Sequence, residues 1–197
     1  MNYLAHLYLS KNNKNILIGN FISDAVKGKN YQHYPKEIQQ GIILHRNIDT
    51  FTDTHPIVRK SKHRLHERYK HYDGIIIDIF YDYFLAKNWN DYSEIPLNVY
   101  ASNIYQLLKN ESTVFPPKMQ QILQYMIQYN WLETYQSKKG IEKVLQGMNK
   151  RTEGKSLMNL AIEDLQKYHD ELEADFKTFF KDLINFTNEK TKLLLEI

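Results

Sequence analysis

Residues 157–186 read LMNLAIEDLQKYHDELEADFKTFFKDLINF. Apolar side chains recur there at Leu157, Ala161, Leu165, Tyr168, Leu172, Phe176, Phe179, Leu183 and Phe186, always three or four apart. That spacing predicts one stripe on a helix of about eight turns, with Glu163, Lys167, Glu171 and Lys181 on its outer face. Such a stripe is core packing rather than a cofactor site. Outward from it, turn-formers are scarce: seven Gly and five Pro in 197 residues, roughly half the usual share. Few turns over this length mean few, long elements. The expectation is an all-α bundle of about seven to nine helices, with essentially no sheet.

The composition bounds the rest. Hydrophobic residues are 42% and charged residues 25% of the chain, ordinary for a globular protein. With no internal repeat and no linker, the chain is expected to form a single domain over residues 1–197. There is no cysteine, which excludes disulfides, thiolate metal sites and Cys nucleophiles. The longest apolar run is Tyr83–Ala86, too short to span a membrane. The start, Met1-Asn2-Tyr3-Leu4-Ala5-His6, does not read as a signal peptide, so a cytoplasmic protein is expected. A net charge of +3 is too small to imply nucleic acid. Its distribution is uneven. Val58 to His71 holds Arg59, Lys60, Lys62, Arg64, Arg68 and Lys70 against Glu67 alone.

Breaks are expected at Lys11–Asn15, Gly28–Pro35, His55-Pro56, Tyr72–Gly74, Tyr92–Pro96, Asn110–Pro117, Lys138–Gly140 and Arg151–Ser156. Pro35, Pro56 and Pro96, and one of Pro116 and Pro117, suit the first turn of a following helix.

Ligand-capable residues recur at helical spacing in the first half: Asn20 and Asp24, His45 and Asp49, Asp49 and Asp53, Asp78 and Asp82. Residues four apart share a helix face. Asp78 and Asp82 lie in a segment apolar nearly all round, where a carboxylate needs a partner. Asp49 and Asp53 also suit a solvated stripe. The buried acids need a countercharge, which a divalent cation or Arg46, Lys27 and Arg59 can supply.

A family resemblance falls on the same residues. Met1-Asn2-Tyr3-Leu4-Ala5-His6-Leu7 resembles the start of the bacterial acyl carrier protein phosphodiesterases. So do Gly19-Asn20-Phe21-Ile22-Ser23-Asp24 with Lys27-Gly28, and Gly41 to Asp49 with Thr52-Asp53 and Pro56. Asp78, Asp82, Phe84-Leu85 and Trp89 continue it. Gly147-Met148 with Arg151, and Tyr168-His169 with Glu171-Leu172-Glu173, follow more loosely. The resemblance implies an all-α, HD-domain-like fold. It also implies a Mn²⁺-dependent hydrolase that removes 4′-phosphopantetheine from the serine of holo-acyl carrier protein. One departure is that HD enzymes place His and Asp side by side, whereas His45 is followed by Arg46 and the next acid is Asp49.

On this reading Asp24, His45, Asp49 and Asp78 hold the metal, Mn²⁺ or else Mg²⁺ or another divalent cation. Arg46 and Lys27 stabilise charge on the phosphoryl oxygens, and His6 is the general acid. Asp82 orients a ligand or joins it. Val58, Leu65 and Tyr69 pack the basic helix, leaving Lys60, Arg64 and Arg68, with Arg59, as a docking face for the acidic carrier protein. Two rivals remain: a phosphohydrolase acting on a nucleotide or other small phosphoester, and a non-enzymatic helical protein binding an acidic partner.

Overall fold

The computed structural model describes residues 1–11 and 13–196, and these contain helix and no strand. Eleven α-helical segments follow in order: α1 Tyr3–Leu9, α2 Lys14–Ile22, α3 Lys36–Thr54, α4 Pro56–Tyr69, α5 Asp73–Lys87, α6 Leu97–Asn110, α7 Pro117–Gln128, α8 Trp131–Thr134, α9 Lys138–Arg151, α10 Ala161–Lys167 and α11 His169–Glu196. One of these, α8, is a single turn. The expected C-terminal helix is divided: Leu157 adopts a left-handed conformation outside it, and the α-helical stretch breaks at Tyr168 before resuming as α11. The apolar stripe survives the break, because Ala161, Leu165, Leu172, Phe176, Phe179 and Leu183 are all buried. Tyr168 and Phe186 are half-buried, and Leu157 is exposed.

Most breaks fall where expected. The one at Lys11–Asn15 includes Asn12, which lies outside the described residues. The break expected at Lys138–Gly140 is instead the start of α9, capped by Ser137. Gly140 is there for packing: a Cβ on it would sit 1.9 Å from the carbonyl oxygen of Thr134. A further break, at Tyr129 and Asn130, has no Gly or Pro to announce it, and Asn130 takes the left-handed conformation itself. Pro56 and Pro117 occupy the first helical position, and Pro35 and Pro96 sit one residue earlier, as caps.

The apolar segment around Asp78 and Asp82 is the central helix. From Ile76 to Ala86 only Asp78 of α5 is not fully buried, and α5 packs on α1, α4, α9 and α11. The tightest approach is between α2 and α3. A Cβ on Gly19 would lie 2.1 Å from the Ile38 carbonyl oxygen, and one on Gly41 would lie 2.3 Å from that of Ile16. No larger residue fits either position, so the two backbones touch. Asn20 and His45 are the next residue and the next turn along from this crossing.

Candidate metal centre

Three helices bring one polar group each to the same place. His6 comes from α1, Asn20 from α2 and His45 from α3, and all three are buried. The two imidazoles stack, with ring centroids 4.0 Å apart and planes 19° apart. Asn20 holds both. Its Oδ1 lies 2.9 Å from His6 Nδ1 and 2.9 Å from His45 Nδ1, and its backbone oxygen lies 2.8 Å from His45 Nδ1. Its amide nitrogen donates to the His6 carbonyl and to Ser10 Oγ, which fixes the orientation of the amide. Asn20 therefore offers the rings acceptors alone, and both Nδ1 atoms carry hydrogen.

The two Nε2 atoms face carboxylates. His6 Nε2 is 3.2 Å from Asp49 Oδ1, and His45 Nε2 is 3.1 Å from Asp49 Oδ2 and 3.2 Å from Asp24 Oδ1. With Nδ1 protonated, a neutral ring points its Nε2 lone pair at an anion. That contact is repulsive unless a proton or a cation lies between. Burial works against charge on His45, but its hydrogen bonds with Asp24 and Asp49 outweigh it and lift its pKa to about 9. Burial and then the neighbouring His45 push His6 down. Burial alone would raise Asp49, yet the two imidazoles hold its carboxyl well below the usual range. The hydrogen bond from His45 also lowers the pKa of Asp24.

These residues fit a divalent cation. One ligand atom each from His6, His45 and Asp49 lies within 4.8 Å of the other two. Neighbouring ligands of an octahedral ion with bonds of about 2.1 Å stand about 3 Å apart, close to the nitrogen–oxygen distances here. The second nitrogen of each ring is engaged behind the site, as in metal centres whose ligands are held from outside.

The cluster opens on a cavity of about 300 Å³ whose wall includes Tyr3, Thr52 and four carboxylates, those of Asp24, Asp49, Asp53 and Asp78. Among the described residues no Lys or Arg side chain lines it. Two neighbouring cations are held by acids. The N-terminal ammonium donates to Asp78 Oδ1 at 2.7 Å, and Lys62 Nζ stands 3.6 Å from Asp53 Oδ1.

The expected site residues divide accordingly. Asp24, His45 and Asp49 meet. Asp78 lines the same cavity, but one oxygen is taken by the ammonium. His6, expected to act as an acid, stands among the ligand atoms instead. Asp82 is fully buried away from the cavity wall, where it accepts the backbone N–H groups of Asn2 at 3.2 Å and Leu4 at 2.8 Å. It anchors the start of α1 and hence His6. Burial raises its pKa to about 7, against the pull of the ammonium and those two N–H groups. Arg46 does not reach the cavity: its guanidinium donates to the Val26 carbonyl at 2.7 Å and lies over the Tyr31 ring. Lys27 and Arg59 are exposed.

The basic face of α4 is not simply presented to solvent. Lys60 and Arg64 bind the two oxygens of Asp175, at 3.0 and 2.6 Å. Arg68 binds Glu163 and Asp164. Acids of α10 and α11 therefore draw these three cations into helix packing. Spacing within α4 could not reveal this, because the partners lie roughly a hundred residues away. Asn20 carried a spacing signal with Asp24, but its grip on two imidazoles depends on the contact of α2 with α3. Tyr3 and Thr52 gave no such signal.

Comparison with known proteins gives the family of the chain. The family model described as acyl carrier protein phosphodiesterase matches residues 1–183. A Salmonella paratyphi A protein named acyl carrier protein phosphodiesterase is 32% identical over 181 residues, covering 91% of this chain and 94% of its own. A Klebsiella pneumoniae protein of the same name is 31% identical over 191 residues, covering 96% and 99%. No solved structure matches the chain, so the expected HD-domain likeness has no structural neighbour behind it. No described helix is long and apolar enough to cross a membrane.

Proposed function

We propose, because the chain belongs to the acyl carrier protein phosphodiesterase family, that the cavity between α1, α2 and α3 hydrolyses the phosphodiester joining 4′-phosphopantetheine to the serine of holo-acyl carrier protein. The protein would act in the cytoplasm and depend on a divalent cation, Mn²⁺ first. One observation carries the reading. Among the described residues, the cavity wall has four carboxylates, two imidazoles and no Lys or Arg side chain. A phosphodiester anion would be repelled from such a cavity unless a cation sat in it.

His6, His45 and Asp49 would hold that cation, with Asp24 beside His45. When bound, it supplies a Lewis acid for a phosphoryl oxygen and a water of lowered pKa. Asn20 keeps both imidazoles in the tautomer that turns Nε2 to the site. Asp53, on the wall and outside the ligand cluster, accepts the proton of the attacking water. Water adds to phosphorus and the bond to the serine oxygen breaks. That oxygen needs a proton, and neutral His6 with its Nδ1 hydrogen on Asn20 is poorly placed to give one. Tyr3 lines the cavity, and burial and then Asp24 raise its pKa, so its hydroxyl stays protonated and serves as donor. The products are the apo carrier protein and 4′-phosphopantetheine.

Lys60, Arg64 and Arg68 pair with acids of the chain, yet Lys60 and Arg68 stay exposed, so docking of the acidic carrier would draw on them together with exposed Lys27 and Arg59. The test is to incubate the protein with holo-acyl carrier protein and Mn²⁺ and to follow the carrier by mass spectrometry. Loss of the phosphopantetheine mass, abolished by EDTA, supports the reading. An unchanged carrier under both conditions overturns it.

A further inference from the structure

Thr52 sits one turn beyond Asp49 on α3, so His45, Asp49 and Thr52 follow one another along the same face. It lines the cavity and is only 2% exposed. Its hydroxyl oxygen is buried and has no hydrogen-bond partner. A Thr inside a helix ordinarily donates to the carbonyl four residues back. Thr50, Thr54, Thr178 and Thr187 all do so here, at 2.9, 2.7, 3.0 and 2.9 Å. Thr52 does not, although Thr50 and Thr54 flank it on the same helix. A buried hydroxyl without a partner is costly, and its place in a cavity wall beside the cation ligands gives that cost a use.

We propose that Thr52 is a phosphate-positioning residue whose hydroxyl donates a hydrogen bond to a non-bridging oxygen of the phosphoryl group in the cavity. The assignment rests on the phosphodiesterase reading for its substrate, but not for the anion site itself. Its hydroxyl and methyl share one carbon, so a rotamer change exchanges their places without moving the backbone. The oxygen can therefore turn toward an occupant while α3 stays fixed. A donor in that position complements a cation. A cation held by His6, His45 and Asp49 would supply countercharge to the group, and Thr52 fixes its rotation so that the serine oxygen faces away from the attacking water. A neutral donor also suits a cavity already crowded with ionised groups, since it adds direction without disturbing the charge balance that the cation sets.

The experiment uses the full chain with Mn²⁺ and compares the natural protein with Thr52→Val, Thr52→Ala and Thr52→Ser. Inorganic phosphate is the probe, titrated by calorimetry, and kcat/KM on holo-acyl carrier protein is measured in parallel. Hydrogen bonds to charged groups are strong enough that Thr52→Val should weaken phosphate and lower kcat/KM by about tenfold or more. Thr52→Ser should stay within about threefold of the natural protein. Mn²⁺ affinity and melting temperature should not fall in Thr52→Val, since it removes only an unpaired group; Thr52→Ala serves if the Val variant does not fold. Phosphate binding that is equal in all four proteins, or absent from the natural one, overturns the proposal. Phosphate binding that depends on Thr52 in a protein that leaves the carrier intact would uphold the anion site and overturn the phosphodiesterase reading instead.

Discussion

His6 and His45 are held by one oxygen: Oδ1 of Asn20 lies 2.9 Å from the Nδ1 atom of each ring. Their Nε2 atoms both reach Asp49, each on a different carboxylate oxygen. A single amide thus sets the tautomer of two imidazoles from two helices. Replacing Asn20 with Ala should lower Mn²⁺ affinity by about 10- to 100-fold, the range for groups that orient metal ligands from behind. It should also cost about 1–3 kcal/mol of stability, since Ser10 and the His6 carbonyl lose a partner. Calorimetric Mn²⁺ titration and chemical denaturation check the two effects separately.

The close crossing of α2 and α3 is what brings Asn20 within reach of His45. Gly19→Ala would put a methyl 2.1 Å from the Ile38 carbonyl oxygen and force the helices apart. Overpacking against backbone should cost about 3 kcal/mol or more. In any folded fraction Mn²⁺ should bind more weakly than to the natural protein. A urea midpoint equal to that of the natural protein would show that the crossing is looser than described.

Asp82 predicts a pH effect. Its pKa in the folded protein, about 7, lies above its ordinary value of 3.8. Its contribution to stability is therefore whole below about pH 4 and is lost as pH rises through about 7, with a slope of at most about 1.4 kcal/mol per pH unit. Asp82→Asn cannot ionise and should remove this slope. It keeps only one carbonyl oxygen for the N–H groups of Asn2 and Leu4, so it should be less stable at pH 5. Denaturation midpoints of both proteins from pH 4 to 8 test this, and parallel curves would contradict it.

The basic helix predicts a contrast between neighbouring cations. Arg64 is mostly buried on Asp175, whereas Arg68 and its partner Glu163 are more exposed. Arg64→Ala should destabilise by about 1–3 kcal/mol, and Arg68→Ala by less than about 1 kcal/mol. Equal losses in urea denaturation would mean that Asp175 does not depend on Arg64.

The helical fold was legible because the period of three and four runs through nearly every segment and turn residues are scarce. The stripe from Ala161 to Leu183 names core residues correctly across a break at Tyr168, because a break between helices can preserve the buried face. Asp24, His45 and Asp49 were legible because polar groups at helical spacing stood beside apolar neighbours. What depended on distant packing was not. The partners of Lys60, Arg64 and Arg68 lie on α10 and α11, that of Asp78 is the N-terminal ammonium, and Arg46 turns to the Val26 carbonyl. Each is a long-range contact that leaves no mark in local spacing. His6 was picked out by position, but its stacking on His45 follows from where α1 docks on α5, through Asp82.

The central claim is that His6 and His45 share one cation. Pulsed electron paramagnetic resonance of the protein with one equivalent of Mn²⁺ reads this directly, through the couplings of ligand imidazole nitrogens. Two such couplings are predicted in the natural protein and one in each of His6→Ala and His45→Ala. Bound Mn²⁺ without nitrogen couplings, or with a spectrum that neither substitution changes, would contradict the account.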